Sequence, residues 1–468
     1  MNTLAQQPST LKPQFTQNPD KLRLEFERAF EDLVALRQQL EYGLIDFAQF
    51  ESQAVELHRG LSCESHAFGL SALEVKLPPT LLEQGERFEP ERQVIKTYTC
   101  LDGPVRLKVW RYKSTSSSRT LIPVEARAGL IQGQYTAMAM RVLLMSHADQ
   151  DYRSAQKLRE AAHLLGRSKS AAQRDINAVS DKLHGLDESL EAARRDTLEH
   201  HPQAKSLTVS VDRTGLPFEE PRQRKRGRPK AGAPQKPCEV VHRQVYCACV
   251  CLVDDQGQVL STQRFGALPG QDVELVQRVS ACVERWLELH EKLDLITLCD
   301  GAAEMRRLAR EILGGRQPKA ELVDAWHAME YVHQAVKAAG KPVSWSKVLT
   351  KRLLENKRGA TELLTRMRTW RMEKASEVLD QCITFFENQH ERMQYAAARE
   401  KGWMIGSGNV EATCKTVVAV RFKRSGARWK SKGAQPLLKV RALMASDGPV
   451  WELAFEAFAD TYVKRLAS

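Results

Sequence analysis

Residues 205–215, KSLTVSVDRTG, constrain this chain more than any other stretch. Leu207, Val209 and Val211 alternate with Thr208, Ser210 and Asp212, the period-2 pattern of a strand. Arg213-Thr214-Gly215 then reads as a turn. Asp212 thus stands at the strand's end, on the face opposite the apolar set. A carboxylate so placed either caps a turn or is positioned for chemistry, and alone it does not separate the two.

Two more acids stand in comparable places. LDLITLCDGAAEM, residues 293–305, is an apolar run that ends at Asp300-Gly301 and passes into helical periodicity. GSGNVEATCK, residues 406–415, is a glycine-punctuated lead-in to a helix bearing Glu411. The order Asp, Asp, Glu, two at strand ends and one on a late helix, suits an α/β RNase H-like core that binds two divalent metal ions. Oxygen donors suit Mg²⁺, which takes one or two carboxylates and keeps waters. Two such ions about 3.5–4 Å apart activate an attacking oxygen and stabilise a leaving one. Asp324, in ELVDAWHAMEYVHQA, rivals Asp300 as the second acid, either capping a helix or sitting near the metals. The longer strand before Asp300 favours Asp300. His327, one helical turn beyond Asp324, either meets a scissile phosphate or a flipped base, or is a packed, hydrogen-bonded histidine.

Four blocks carry a family resemblance: SVDRTGLP, TLCDGAAEM, ELVDAWHAMEYVHQA, and IGSGNVEATCKTVV with RFKRSGARW. In this order they resemble the catalytic blocks of the DDE transposases of bacterial insertion sequences, most closely the ISKra type. More loosely, the resemblance extends over residues 93–447. It implies metal-dependent DNA cleavage and strand transfer by Asp212, Asp300 and Glu411, with two Mg²⁺ ions and Mn²⁺ as a substitute. It also implies binding of double-stranded DNA, at the element's terminal repeats and at the target. A homodimer or higher oligomer is expected on DNA, because two ends must be joined. The expected location is the bacterial cytoplasm, at the nucleoid when DNA is bound.

The charge balance agrees with a polyanionic partner: Lys plus Arg is 70 against 58 Asp plus Glu, net +12. No apolar run is long enough to predict a membrane span. The N-terminus lacks a charged-then-apolar signal pattern and reads as a disordered tail over residues 1–20. Ten cysteines form no Cys-x-x-Cys pair, so they read as small buried residues of a reducing compartment.

Residues 21–125 read as a helical hairpin followed by a β-hairpin turning at Asp102-Gly103, with Val105, Leu107 and Val109 on one face and Arg106, Lys108, Trp110 and Tyr112 on the other. Residues 126–200 read as a helix-turn-helix domain and a charged connector, with His200 and His201 exposed. Its second helix, after Gly166-Arg167-Ser168, would present Lys169, Ser170, Gln173, Arg174 and Asn177 to the DNA major groove, although an ordinary helical bundle has the same pattern. The first part of the core spans 201–340. Its helix at 272–290 is expected to bury Val273, Val276, Val279, Val283 and Leu287. Within it, the loop 221–237 holds RGRPK, the form of an AT-hook. Arg224, Arg226, Arg228 and Lys230 would enter an A/T-rich minor groove or hold phosphates without sequence preference. An all-α insertion at 341–400, the last part of the core at 401–446 and a closing helix at 447–468 complete the chain.

From Ala412 to Ser446 there is no acid and there are nine Lys or Arg. Such a run is either a solvated face or a phosphate track. Following a candidate catalytic acid, Lys415, Arg421, Lys423, Arg424 and Arg428 suit a track, with Trp429 stacking on a base or packing in the core. Two rival readings share these features: a metal nuclease of the same fold without strand transfer, and a DNA-binding regulator with an inactive nuclease-like domain.

Overall fold

The computed structural model describes residues 18–75, 79–161, 168–185, 187–219 and 240–467. They divide into two compact units, one drawn from Met1–Val179 and Phe455–Ser468, the other Ser180–Ala454.

In the first unit, α1 (Pro19–Glu41) and α2 (Phe47–Ser71) are the helical hairpin that the apolar spacing predicts. Asp46 opens α2 through a reciprocal pair with Gln49, which satisfies two backbone N–H groups at once. Strands β1 (Leu81–Glu83), β2 (Glu86–Cys100), β3 (Gly103–Ser114) and β4 (Thr120–Leu121) form an antiparallel sheet in that order. Val105, Leu107 and Val109 are buried as expected. Tyr112 is buried too, in a second cluster with Leu81, Phe88 and Leu121 against which Trp110 also packs, so the two aromatics stand together as expected. A short helix α3 (Pro123–Arg127) leads to α4 (Ala137–Asp149), α5 (Tyr152–Ala161) and α6 (Lys169–His184). The expected turn at Gly166-Arg167 lies outside the described residues.

The second unit holds α7 (Asp187–Asp196), β5 (Ala204–Glu219), β6 (Val240–Asp254), β7 (Val259–Ala267), α8 (Asp272–Leu289), β8 (Asp294–Cys299), α9 (Ala303–Ile312), β9 (Ala320–Val323) and α10 (Ala325–Ala338). The sheet order is β7-β6-β5-β8-β9, with β5, β6 and β7 antiparallel and β8 and β9 parallel to β5. This is a mixed sheet in an α/β unit. Leu207, Val209 and Val211 pack with Val279, Val283 and Trp286 of α8 and Leu308 and Ile312 of α9. On the other face, Ile296, Leu298 and Leu322 meet Ala398 and Trp403. With both faces covered, Thr208 and Ser210 are buried as well, so the polar half of the β5 alternation does not face solvent.

Two expectations need correction, and one gains detail. The connector α7 packs firmly: buried Arg194 donates to Gln263 (2.9 Å) and Ser446 (3.0 Å), and Arg278 donates to Glu191 (2.7 Å). His200 is exposed as expected, with its ring stacked on His290 at 4.6 Å, but His201 is half-buried. On α8 the buried stripe runs through Leu275, Val279, Cys282 and Trp286, which leaves Val273 67% exposed.

Beyond α10 lie α11 (Ser344–Glu355), α12 (Gly359–Glu373), α13 (Glu377–Gln389) and α14 (Tyr395–Glu400). Together with α10 they share one apolar core that includes Leu353, Trp370 and Phe386. Then come α15 (Gly408–Thr413), a π-helical segment (Cys414–Ala419), α16 (Val420–Phe422), α17 (Ser431–Met444) and α18 (Val450–Asp460). Of the nine cations in the acid-free run, Arg421, Lys439 and Arg441 are buried. Arg441 donates to the Val417 carbonyl at 2.7 Å and tethers α17 to the π segment.

Burial pushes the Lys439 amine down to about 7. Between that value and the ordinary lysine range the folded chain binds fewer protons than the unfolded chain, so this group makes stability rise with pH across the window. Lys439→Met is expected to stabilise the protein near pH 7 by ~1–2 kcal/mol, or about 2–8 °C in Tm. It should also flatten the rise in Tm between pH 7 and 9.5. A lower Tm for the variant at pH 7 contradicts this.

Candidate active site

Strand register decides where the acids lie. Val211 of β5 is beside Cys299 of β8, and Cys299 is beside Val323 of β9. The next residue on each strand is an aspartate: Asp212, Asp300, Asp324. They form a row on one face, Asp300 and Asp324 at the carboxyl ends of β8 and β9, where open α/β sheets place ligands, and Asp212 beside them within β5. The turn expected at 213–215 is instead strand, because β6 keeps pairing with β5 out to Glu219. What stops near Asp212 is its parallel neighbour β8.

Asp212 is half-buried. Its Oδ1 accepts the Arg213 N–H at 2.6 Å, and its Oδ2 accepts the Cys414 thiol at 3.4 Å. Burial pushes its carboxyl above the usual aspartate range, against the pull of those two donors; the charge of Asp300 pushes it up further, and His327 pulls it down. Arg213 gives little relief, because its guanidinium is paired with Glu304, which also accepts from the Tyr246 hydroxyl at 2.5 Å.

Asp300 accepts the Ala302 N–H at 2.9 Å. Gly301 takes φ 95° to turn the chain there, and a Cβ on it would lie 3.2 Å from Phe385. Asp324 is different. It is 3% exposed, and both of its oxygens are committed to backbone. Oδ2 accepts the His327 N–H at 2.9 Å and caps α10; Oδ1 accepts the Ser407 N–H at 2.8 Å. The Ala325 N–H donates to the Ile405 carbonyl at 2.8 Å, so 405–407 is docked on the start of α10. Gly406 permits this approach: a Cβ there would lie 3.1 Å from Trp326 Nε1.

Glu411 is exposed on α15 and accepts the Ser407 hydroxyl at 2.9 Å. Cys414, three residues on, reaches Asp212, so this helix lies over the acid row. The chain becomes π-helical there, a distortion often found at functional sites. His327 faces the row, with Tyr331 and Phe385 against its ring at 5.8 and 6.1 Å. Among the described residues, no three His, Cys, Asp or Glu side chains form a group that could hold a metal ion.

The cations divide. Lys415, Lys423 and Arg428 are exposed, and Lys423 Nζ donates to Thr214 at 2.5 Å. Arg424 is half-buried and donates to the Val420 carbonyl at 3.2 Å. Trp429 is half-buried, with its indole N–H on the Phe422 carbonyl (3.0 Å), and buried Arg421 lies over its ring at 4.9 Å. This pair braces its own segment. On α6, Ala172, Ile176, Val179 and Leu183 are buried while Ser170, Gln173, Arg174 and Asn177 are exposed. Lys169 begins that helix. Arg224, Arg226, Arg228 and Lys230 lie outside the described residues.

Sequence reasoning missed Ser407 and Cys414. Their only signal is spacing: four residues before and three after Glu411, the separations that share a helix face.

No family model matches the sequence, and no curated protein matches it. Among solved structures the chain is similar to a "Mos1 transposase paired-end complex with left transposon end", at 14% identity over 57% of this chain and 80% of that one, with a TM-score of 0.14. An overlap that slight bears on neither fold nor function.

Proposed function

We propose that this protein is a DNA transposase of the DDE type, which cleaves and joins the ends of an insertion sequence by metal-dependent phosphoryl transfer. The observation that carries this reading is the placement of Asp212 and Asp300: two neighbouring acids, one within β5 and one just past the end of its parallel neighbour β8, beneath the helix of Glu411. Support also comes from the strand order, in which an antiparallel meander is continued by two parallel strands, as in RNase H-like cores. The four sequence blocks described above add to it.

The donor chemistry fits Mg²⁺ or Mn²⁺. Asp212 and Asp300 offer hard oxygens, they repel each other, and Arg213 is turned to Glu304. A pair of such ions, when bound, supplies activation of the attacking oxygen and stabilisation of the leaving one. Asp212, Asp300 and Glu411 would hold them. Asp324, with both oxygens on backbone N–H groups, would orient and not ligate. Lys415, Lys423 and Arg428 would hold phosphates, and α6 would read the terminal repeats as one copy of a dimer or larger assembly.

The test is cleavage of DNA carrying the gene's own flanking sequences. Wild type is expected to nick at one fixed position with Mg²⁺, and Asp300→Ala to lose this. Cutting retained by Asp300→Ala would move the second acid to Asp324. For α6, alanine at Gln173, Arg174 or Asn177 is expected to weaken binding to that DNA by ~1–3 kcal/mol each, with Tm unchanged. Unchanged affinity in all three would remove α6 from recognition.

A further inference from the structure

We infer that Ser407 is a positioning residue for Glu411, and that it ties this acid to the far end of the acid row through Asp324. The inference rests on the metal-dependent reading above and names how that site keeps its third acid in place.

Ser407 stands at the N-cap position of α15, where a serine hydroxyl ordinarily accepts a backbone N–H of the first turn. Here it makes no such bond. The first-turn N–H groups of Val410 and Glu411 are taken by the Ser407 carbonyl instead, at 3.0 and 3.1 Å. The hydroxyl is therefore released, and it donates to Glu411 Oε1 at 2.9 Å. The Ser407 backbone is itself fixed, since its N–H is held by the buried Asp324 carboxylate at 2.8 Å. Asp324 is rigid in turn, because its other oxygen caps α10. The Ser407–Asp324 link is buried, so Glu411, on an exposed face, hangs from a buried anchor that follows Asp300 in the row.

Without this tether Glu411 is free to take the rotamers open to an exposed glutamate, and ordering it would fall to the bound cation. A hydrogen-bonded support of this kind typically changes metal affinity 10–100-fold when lost. Ser407 is 6% exposed, and alanine removes only its oxygen, so the fold should tolerate the change.

The experiment is a double-mutant cycle on the full chain, read by Mn²⁺ binding in calorimetry, with Ser407→Ala, Glu411→Gln and the double variant. Ser407→Ala is expected to raise the half-saturating Mn²⁺ concentration about tenfold. In the Glu411→Gln background the same change should add less than about twofold. A structural defect at Ser407 would weaken binding equally in both backgrounds, and that outcome overturns the inference. So does Ser407→Ala binding like wild type. Failure of the metal-site reading looks different: wild type does not bind Mn²⁺, or Glu411→Gln binds it as wild type does.

Discussion

Asp212→Asn is expected to lower Mg²⁺-dependent DNA cleavage by at least ~10³-fold, about 4 kcal/mol of barrier, while leaving the protein as stable as wild type or more so. Both halves follow from the same surroundings. The carboxylate is half-buried, its neighbour Asp300 is another acid, and its sequence neighbour Arg213 serves Glu304. Its folded pKa is raised, so above that pKa the folded chain carries a charge that it holds less readily than the unfolded chain does. Stability from this group falls as pH rises through the window above the ordinary aspartate value, and asparagine removes the penalty at neutral pH. Loss of function with a gain in stability is the mark of an acid kept for chemistry. Cleavage within about tenfold of wild type would contradict the role, and so would a marked fall in Tm.

Asp324→Ala is expected to do the reverse, destabilising the second unit by ~2–4 kcal/mol. The change removes the helix cap on the His327 N–H, worth about 1 kcal/mol, and leaves the buried Ser407 N–H without its acceptor, at about 1–3 kcal/mol. The Ser407 bond is fully buried, so that term applies in full there. Tm should fall by roughly 2–4 °C per kcal/mol. Asp300→Ala, which releases one N–H in a half-buried turn, should cost less than about 1.5 kcal/mol. Thermal unfolding of the two variants side by side checks this. A larger loss for Asp300→Ala would mean that the two acids have been assigned the wrong way round.

The acid row was legible because strand periodicity is local. Two apolar runs that each reach an Asp put Asp212 and Asp300 on one sheet face, and the register places them together, although Asp212 lies within β5 and only Asp300 follows a strand end. The cap that Asp324 makes on α10 was legible as one of two readings, but its hold on Ser407 was not, since Ser407 lies 83 residues further along the chain. Charge runs mislead for a related reason. Sequence marks Arg421, Lys439 and Arg441 as cations but does not say which face of their helices packs, and all three proved to be buried. Trp429 likewise holds its own segment through the Phe422 carbonyl. On α8, a pattern counted mainly on valines found Val279 and Val283 but missed Leu275, Cys282 and Trp286 and wrongly included Val273.

The most direct measurement is the joining reaction. Linear DNA ending in the gene's own flanking sequences would be incubated with a target duplex, Mg²⁺, and either wild type or Asp212→Asn. The account predicts covalently joined ends with wild type and neither cut nor joined DNA with the variant. Cut but never joined ends would leave a nuclease in place of a transposase. Tight DNA binding with no Mg²⁺-dependent cutting by wild type would contradict the account itself and favour a DNA-binding regulator.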